Sequence, residues 1–237
     1  MRRSRPIRFD LIRPTARRFS TGLRHALFAV AVVLAAVASL GQAAANLDRM
    51  QTLALERYGQ RSADTVAAWR RMLEEAKELD ELGRLQAVNT FFNRAVRFQD
   101  DIEVWNEKDY WASPLEFMGR GAGDCEDFSI AKYISLLNLG VPNEKLRMIY
   151  VRAKVGGRAV AHMVLGYYAS PEEEPLLLDN LIGSIRPASR RPDLSPVFSF
   201  NTAGLWVPGA TASAADPTAR LSRWRDVLEK IRAEGSN

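Results

Sequence analysis

Apolar residues recur every three to four positions between residues 63 and 96, a period that is typical of amphipathic helices. The first stripe is Val66, Trp69, Leu73, Ala76 and Leu79, and the second is Leu85, Val88, Phe91, Phe92 and Val96. Gly83 stands between the two stripes, so the pattern predicts two helices divided at this glycine. Stripes of this kind favour a core-facing role over a groove for a partner.

A further helix is predicted to begin at Cys125, the only cysteine of the chain, and to extend to Leu139. Its apolar positions, Phe128, Ala131, Ile134, Leu137 and Leu139, lie close to one helix face. Asp124 occupies the position of an N-cap residue. Gly140, followed by Pro142, is a typical signal for the end of a helix.

The segments around this helix have different patterns. Residues 100–124 carry a Ser-Pro pair and three closely spaced glycines, which predicts a loop. Residues 146–155 and 159–168 are strand-like runs joined by a Gly-Gly pair, and a third run covers 175–181. A capped helix beginning at Asp216 closes the chain. Helices followed by an antiparallel sheet predict an α+β single domain.

The N-terminal residues read as an export signal. Residues 2–24 carry eight arginines against one acid, and an apolar run of 15 residues follows at 26–40. Together with the small residues before Ala45, this predicts a signal peptide over residues 1–45, cleaved after Ala45. The apolar run is shorter than the roughly 20 residues that span a bilayer, although an uncleaved N-terminal anchor stays open. We therefore expect one exported, periplasmic domain over residues 46–237.

Removing the predicted signal peptide changes the charge balance. The whole chain has 33 basic and 28 acidic residues, whereas residues 46–237 have 25 basic and 27 acidic residues. The basic excess therefore belongs to the leader and gives no support for a nucleic-acid partner or an anionic membrane surface. The predicted domain keeps one cysteine, which excludes an internal disulfide, and one histidine, His162.

Cys125, His162 and Asp179 form the candidate catalytic set. A helix N-terminus lowers the pKa of a thiol and offers N–H groups to an oxyanion, which suits Cys125 as a nucleophile. His162 falls on the second predicted strand and Asp179 ends the third, so neighbouring strands can bring base and orienting acid together. Each residue also has a structural interpretation: a buried cysteine, a core histidine and an aspartate that caps a strand.

Five sequence blocks, in this order, resemble one family. They read "YWASPLEFMGRGAGDCEDFSIAKYISLLNLGV", "LRMIYVR", "AHMVLGYY", "PLLLDNL" and "FNTAGLW". The chain resembles the bacterial transglutaminase-like cysteine proteinases, which include the LapG-type periplasmic proteases, from about Val88 to Trp206. The family nucleophile, histidine and aspartate fall on Cys125, His162 and Asp179.

This resemblance implies a papain-like or transglutaminase-like fold and a calcium-dependent cysteine endopeptidase. It implies as substrate a large repeat-containing surface adhesin, cut near its N-terminus at a paired-alanine site, so that cells leave a biofilm. It also implies inhibition by the periplasmic domain of an inner-membrane cyclic-di-GMP receptor.

The resemblance places a calcium site around the nucleophile, with Asp124 and Glu126 as ligands and Asp127 as a third. Calcium takes six to eight oxygen ligands, so three carboxylates need loop carbonyls or water to complete the site. The spacing alone also fits a second interpretation. Asp124 would then be an N-cap, and Glu126 and Asp127 first-turn acids favoured by the helix dipole.

Two further points stay open at this level. The Cys125 backbone N–H is one candidate oxyanion donor, and the segment from Tyr110 to Ser113 is expected to supply a second, with the Trp111 indole as a candidate. The same triad could instead transfer the acyl group to an amine, as in a transglutaminase or amidase, and a catalytically silent receptor-binding module is the remaining alternative.

Overall fold

A computed structural model describes residues 47–210 and 212–235 of the chain, and the predicted signal peptide lies outside them. The helices are α1 (47–58), α2 (Gln60–Ala76), α3 (Glu81–Ala95), α4 (Asp101–Val104), α5 (Pro114–Arg120), α6 (Cys125–Asn138), α7 (Pro217–Arg220) and α8 (Ser222–Glu234). The strands are β1 (Arg97–Phe98), β2 (Ala122–Gly123), β3 (Leu146–Val155), β4 (Arg158–Tyr167), β5 (Leu176–Leu178), β6 (Arg186–Pro187), β7 (Leu194–Phe200) and β8 (Leu205–Trp206). The α+β prediction is confirmed.

The main sheet has six antiparallel strands in the order β6-β5-β4-β3-β7-β8. Its centre is the β3–β4 hairpin, which turns at Gly156 and Gly157 with φ values of 56° and 80°. A side chain strains at such angles, which is why two glycines stand there. The predicted hairpin is therefore present, with β4 beginning one residue earlier than expected.

The two faces of the sheet have different surroundings, because successive side chains point in opposite directions. The inner face, represented by Met148, Leu165 and Phe200, packs with the helices into the main core. Helix α6 lies against this face and contacts β3 and β4. The outer face carries a smaller apolar cluster of its own, consisting of Ile149, Val151, Val164 and Leu177.

The two predicted N-terminal helices are present, but Gly83 does not divide them. Helix α2 ends at Ala76, and α3 begins at Glu81 with Gly83 inside its first turn. The boundary is set by Asp80, whose carboxylate accepts the Gly83 N–H at 2.8 Å. An N-cap aspartate therefore outweighs the glycine as the helix boundary.

The predicted loop over residues 100–124 contains two short helices, α4 and α5, and the strand β2. Helix α5 begins with a capping box in which Ser113 Oγ accepts the Glu116 N–H, and Glu116 accepts the Ser113 N–H. The loop prediction was wrong, because the Ser-Pro-x-Glu signal, with proline at the first helical position, starts a helix here.

The C-terminal helix is present as two pieces. Asp216 caps α7 by accepting the N–H groups of Thr218 and Ala219, as the sequence predicts. Leu221, with φ −117° and ψ 92°, leaves the helical conformation and packs on the core, and α8 begins after it. Among the described residues, no helix combines the length and apolarity needed to cross a membrane.

Candidate active site

Cys125 is the first residue of α6, and the chain that leads to it is held by backbone pairing. Strand β2 pairs in parallel with β1, which fixes Ala122 and Gly123 next to Arg97 and Phe98. A Cβ atom at Gly123 would lie 2.4 Å from Asp127 Oδ2, so only glycine lets this carboxylate approach the backbone. Cys125 is therefore half-buried, at a loop-to-helix junction that backbone pairing holds in place.

The surroundings of the thiol oppose its ionisation. Burial raises the pKa of Cys125, and the charges of Glu126 and Asp124 raise it further. The thiol donates a hydrogen bond to Glu126 Oε2 at 2.9 Å. The Met163 backbone N–H acts in the opposite direction and lowers the pKa. The protein's own groups therefore favour the protonated thiol.

His162 and Asp179 lie side by side, as the sequence predicts. His162 is on β4, Asp179 directly follows β5, and His162 Nε2 lies 2.8 Å from Asp179 Oδ1. Both side chains are buried, with 4% and 0% exposure. The imidazole is thus held through Nε2, which leaves Nδ1 as the ring nitrogen that is not engaged with the aspartate.

Asp179 has more partners than His162. Its Oδ1 accepts the Leu181 N–H at 3.1 Å, and its Oδ2 forms an ion pair with Arg191 Nη2 at 2.7 Å. Although burial acts to raise the pKa of Asp179, the hydrogen bond from His162 and these other partners hold it below the ordinary value. Arg191, which the sequence did not single out, therefore belongs to this site.

Two contacts bring the start of α6 beside the strand that carries His162. Met163, the next residue of β4, presents its N–H to the Cys125 thiol. The Met163 carbonyl accepts a hydrogen bond from Ser129 Oγ at 3.2 Å, one helical turn after the cysteine. The structure thus pairs His162 with Asp179 and places the start of α6 against β4, next to the residue that follows His162.

Acidic side chains cluster at the same junction. Oxygens of Asp101, Asp124 and Asp127 lie within 4.8 Å of one another, and so do those of Asp101, Asp109 and Glu126. Asp124, Cys125 and Glu126 form a third group of this kind. Each of the three predicted ligands therefore lies in at least one of these groups, and Asp101 and Asp109 join them.

Three buried oxygens in this cluster have no hydrogen-bond donor among the described residues: Asp101 Oδ1, Asp124 Oδ1 and Asp127 Oδ2. The opposite oxygens of Asp101 and Asp127 are oriented by the Tyr110 and Ala112 N–H groups, at 2.5 and 2.7 Å. A buried carboxylate oxygen without a donor is costly unless a cation meets it.

The pKa values of these acids are raised, as expected for buried carboxylates without a positive partner. Burial, followed by neighbouring negative charges, raises the pKa of Asp124 to about 10 and that of Asp127 well above its usual range. Burial raises the pKa of Asp101 to about 6. Hard carboxylate oxygens that converge without a basic side chain among the described residues to pair with them fit calcium, so the residues present suit this metal.

The capping interpretation of Asp124 finds no support in the geometry. Asp124 occupies the N-cap position of α6, but its side chain makes no capping hydrogen bond. Its unpartnered oxygen belongs to the acidic cluster instead. The sequence analysis missed Asp101 and Asp109 as members of this cluster. The stretch from Asp100 to Tyr110 held the signal, because five of its eleven residues are acidic.

Backbone amides of the segment from Tyr110 to Ser113 are largely engaged. The N–H groups of Tyr110, Ala112 and Ser113 donate to Asp101, Asp127 and Glu116, respectively. Trp111 lies between them, and its ring stacks on Phe200 with centroids 5.9 Å apart. Of the predicted segment, Trp111 stays a candidate for the second oxyanion donor.

The sequence and the structure of this chain are similar to those of known proteins. Residues 50–193 match the family of bacterial transglutaminase-like cysteine proteinases (BTLCP). Among solved structures, the EGTA-treated LapG of Legionella pneumophila is similar, with 38% identity and a TM-score of 0.69, over 78% of this chain and 97% of that chain.

The calcium-bound form of the same Legionella protein gives 38% identity and a TM-score of 0.68, over 78% of this chain and 98% of that chain. A search of curated proteins finds no match. The family match covers more than half of the chain, and the structural matches cover more than two thirds. The chain is a cysteine protease and belongs to the bacterial transglutaminase-like cysteine proteinases.

Proposed function

We propose that this protease is an exported, calcium-dependent endopeptidase that cleaves a large surface adhesin near its N-terminus. One observation carries the proposal: a cysteine at a helix start, packed against the strand of a His–Asp pair, is surrounded by buried carboxylates that form no ion pair with any described side chain. The similar Legionella LapG has a calcium-bound and an EGTA-treated form, which supports the metal assignment.

In the proposed reaction Cys125 is the nucleophile and His162 the base. His162 Nδ1 takes the thiol proton, and the sulfur attacks the carbonyl carbon of the scissile peptide bond. The imidazolium then gives its proton to the leaving amine as the C–N bond breaks. Water hydrolyses the thioester, with His162 again as the base, and the free thiol returns.

Asp179 has two proposed roles in this cycle. Its hydrogen bond to Nε2 fixes the ring so that Nδ1 can serve the thiol. Its negative charge, retained because its pKa is lowered, stabilises the imidazolium that forms. Arg191 holds the other oxygen and so positions the aspartate.

Asp101, Asp124 and Asp127 are the proposed core of the calcium site, with Glu126 and Asp109 at its edge. Bound calcium would supply positive charge that offsets the carboxylates beside the thiol. Without such an offset, Glu126 and Asp124 oppose thiolate formation, so we expect proteolysis to require calcium.

Export, substrate and partner are the remaining parts of the proposal. The arginine-rich leader with its apolar run supports a periplasmic location, with cleavage after Ala45. The family resemblance supports a repeat-containing adhesin as substrate, biofilm release as the outcome, and a cyclic-di-GMP receptor domain as inhibitor.

Incubating the protein with the cell's large repeat adhesins, with calcium or with EGTA, tests this proposal. We expect calcium-dependent cleavage by the wild type and none by Cys125→Ala, with sequenced ends that locate the cut near the adhesin N-terminus. Cleavage in excess EGTA, or by Cys125→Ala, would contradict it. Mass spectrometry of the N-terminus tests processing after Ala45, and binding to the receptor domain tests the proposed inhibitor.

A transglutaminase or amidase activity is distinguished on the same substrate by adding a labelled primary amine. Hydrolysis without incorporation of the amine supports the endopeptidase, whereas incorporation supports the acyl transferase. A silent receptor-binding module predicts instead that Cys125→Ala keeps all function.

A further inference from the structure

A cavity lies on the outer face of the main sheet, and we call it the outer cavity. Its volume is about 510 Å³, a size typical of small-molecule sites. Its floor is the apolar cluster of the outer face, Ile149, Val151, Val164 and Leu177. Pro196 and Val207 are among its walls. Cys125, His162 and Asp179 do not line it.

Arg147 is the unusual residue of the outer cavity. It lies on β3 and is only 8% exposed, and its Nε has no hydrogen-bond acceptor among the described residues. Aromatic rings hold its guanidinium, with Trp206 4.0 Å and Tyr168 4.8 Å from the central carbon. A buried cation held by aromatic rings and lacking an anion leaves its N–H donors for a ligand.

The other charges around the cavity do not neutralise Arg147. Arg191 is engaged with Asp179 and Asp193, at 2.7 and 2.8 Å. Glu172 lies exposed at the rim and forms no ion pair with Arg147 in the described structure. The cavity therefore combines apolar walls with one positive charge that has no anionic partner among the described residues.

Apolar walls and a buried guanidinium favour a ligand with an apolar part and a negative charge. Carboxylates suit a guanidinium because they accept its N–H groups. An extended peptide is disfavoured, because β3 and β4 are backbone-paired on both sides and the floor offers side chains only. Peptide amide groups buried there would lose water without gaining partners. We infer that the outer cavity binds a small monocarboxylic acid with an apolar tail, its carboxylate on Arg147.

Octanoate, octanamide and octylamine test this inference, because they share an apolar tail and differ in charge. Titration calorimetry on the full chain is expected to show binding of octanoate, with octanamide at least about tenfold weaker and octylamine weaker still. Methyl NMR shifts of Ile149 and Val164 are expected to locate the ligand. Equal binding of octanoate and octanamide, no octanoate binding at millimolar concentration, or shifts confined to other methyl groups would each overturn the inference.

Arginine variants add a second arm. Arg147→Met is expected to weaken octanoate at least about tenfold, and Arg147→Lys less than that. Arg158→Met is the matched control, since Arg158 is exposed at the β3–β4 hairpin. Equal affinities for Arg147→Met and Arg158→Met would overturn the inference. If Arg147→Met fails to fold, the three-ligand comparison on the wild type still decides.

Cys125→Ala separates this inference from the proposed protease function. We expect this variant to bind octanoate as the wild type does, because Cys125 does not line the outer cavity. Loss of octanoate binding in Cys125→Ala would overturn a separate outer site. Failure of the protease proposal would leave the calorimetric result unchanged.

Discussion

Asp179 and Asp127 are both fully buried carboxylates, but their surroundings differ. Asp179 has His162 at 2.8 Å and Arg191 at 2.7 Å, and its pKa lies below the ordinary value. Asp127 forms no ion pair within the described part of the chain, and its pKa lies well above the ordinary value. Its neighbours Asp101 and Asp124 are acids as well.

The two parts of the site are therefore stabilised in different ways. The His–Asp pair carries its own positive charge in Arg191, so its geometry is expected to be independent of added ions. The acidic cluster has converging oxygens and no such partner, so its order is expected to depend on an external cation. The effects of substitutions in the acidic cluster should therefore depend on calcium, and the effects of substitutions at the His–Asp pair should not.

The largest effect is expected for Asp179→Ala. His162 loses its orienting partner, so the rate of peptide hydrolysis should fall by about 10³–10⁴-fold. Arg191 loses its buried partner and keeps only the partly exposed Asp193, so the free energy of unfolding should fall by about 3–5 kcal/mol. Hydrolysis kinetics measure the first effect and denaturant unfolding the second, each with calcium and with EGTA. A stability loss that calcium restores would contradict the proposed independence, and Asp193→Ala is the control for the second acid on Arg191.

Arg191→Met is expected to act in the same direction but less strongly. Asp179 keeps His162, so hydrolysis should fall only about tenfold, while the unpaired buried oxygen lowers the free energy of unfolding by about 3 kcal/mol. Arg190→Met is the matched control, because Arg190 is the exposed neighbour. Equal stability of the two variants would show that the ion pair contributes nothing.

Asp101→Asn tests the other side of the comparison. The substitution removes a negative charge from the cluster, so calcium affinity in titration calorimetry should fall at least about tenfold. Asp100→Asn, at the exposed neighbouring position, should bind calcium as the wild type does. Unchanged affinity in Asp101→Asn would place the metal elsewhere.

Lys132 gives the smallest expected effect. It is buried on α6, its Nζ has no hydrogen-bond partner among the described residues, and burial lowers its pKa to about 7 from 10.5. Between pH 7 and 10.5 the unfolded chain keeps a proton that the folded chain has lost, so the free energy of unfolding should rise with pH there.

Lys132→Met should remove that rise and should be more stable than the wild type below pH 7, where the buried amine is charged. Denaturant unfolding across this range measures both effects. Parallel pH profiles for the wild type and the variant would contradict the low pKa of the buried amine.

Local patterns predicted most of the architecture. The β3–β4 hairpin follows from two apolar runs and a Gly-Gly pair, and α6 from its periodicity and its glycine stop. The predictions were wrong where two local signals compete. The Asp80 cap, and not Gly83, sets the start of α3, and the Ser113 capping box starts a helix inside a glycine-rich stretch.

The site was predictable to the extent that it is local in sequence. Asp124, Glu126 and Asp127 are adjacent to Cys125, whereas Asp101 reaches the cluster only through the packing of α4 near β2. Arg191 and the outer cavity were not predictable, because the sequence pattern does not show which distant loop meets the end of β5 or leaves Arg147 without an anion.

Thermal unfolding of the wild type and Asp124→Asn, first in EGTA and then in calcium, tests most directly that the acidic cluster holds a cation beside Cys125. Asn at this position replaces a carboxyl group whose buried Oδ1 has no hydrogen-bond donor among the described residues. In EGTA the variant should be at least as stable as the wild type, and calcium should raise the Tm of the wild type much more than that of the variant. An equal calcium-dependent rise in both proteins would contradict the account.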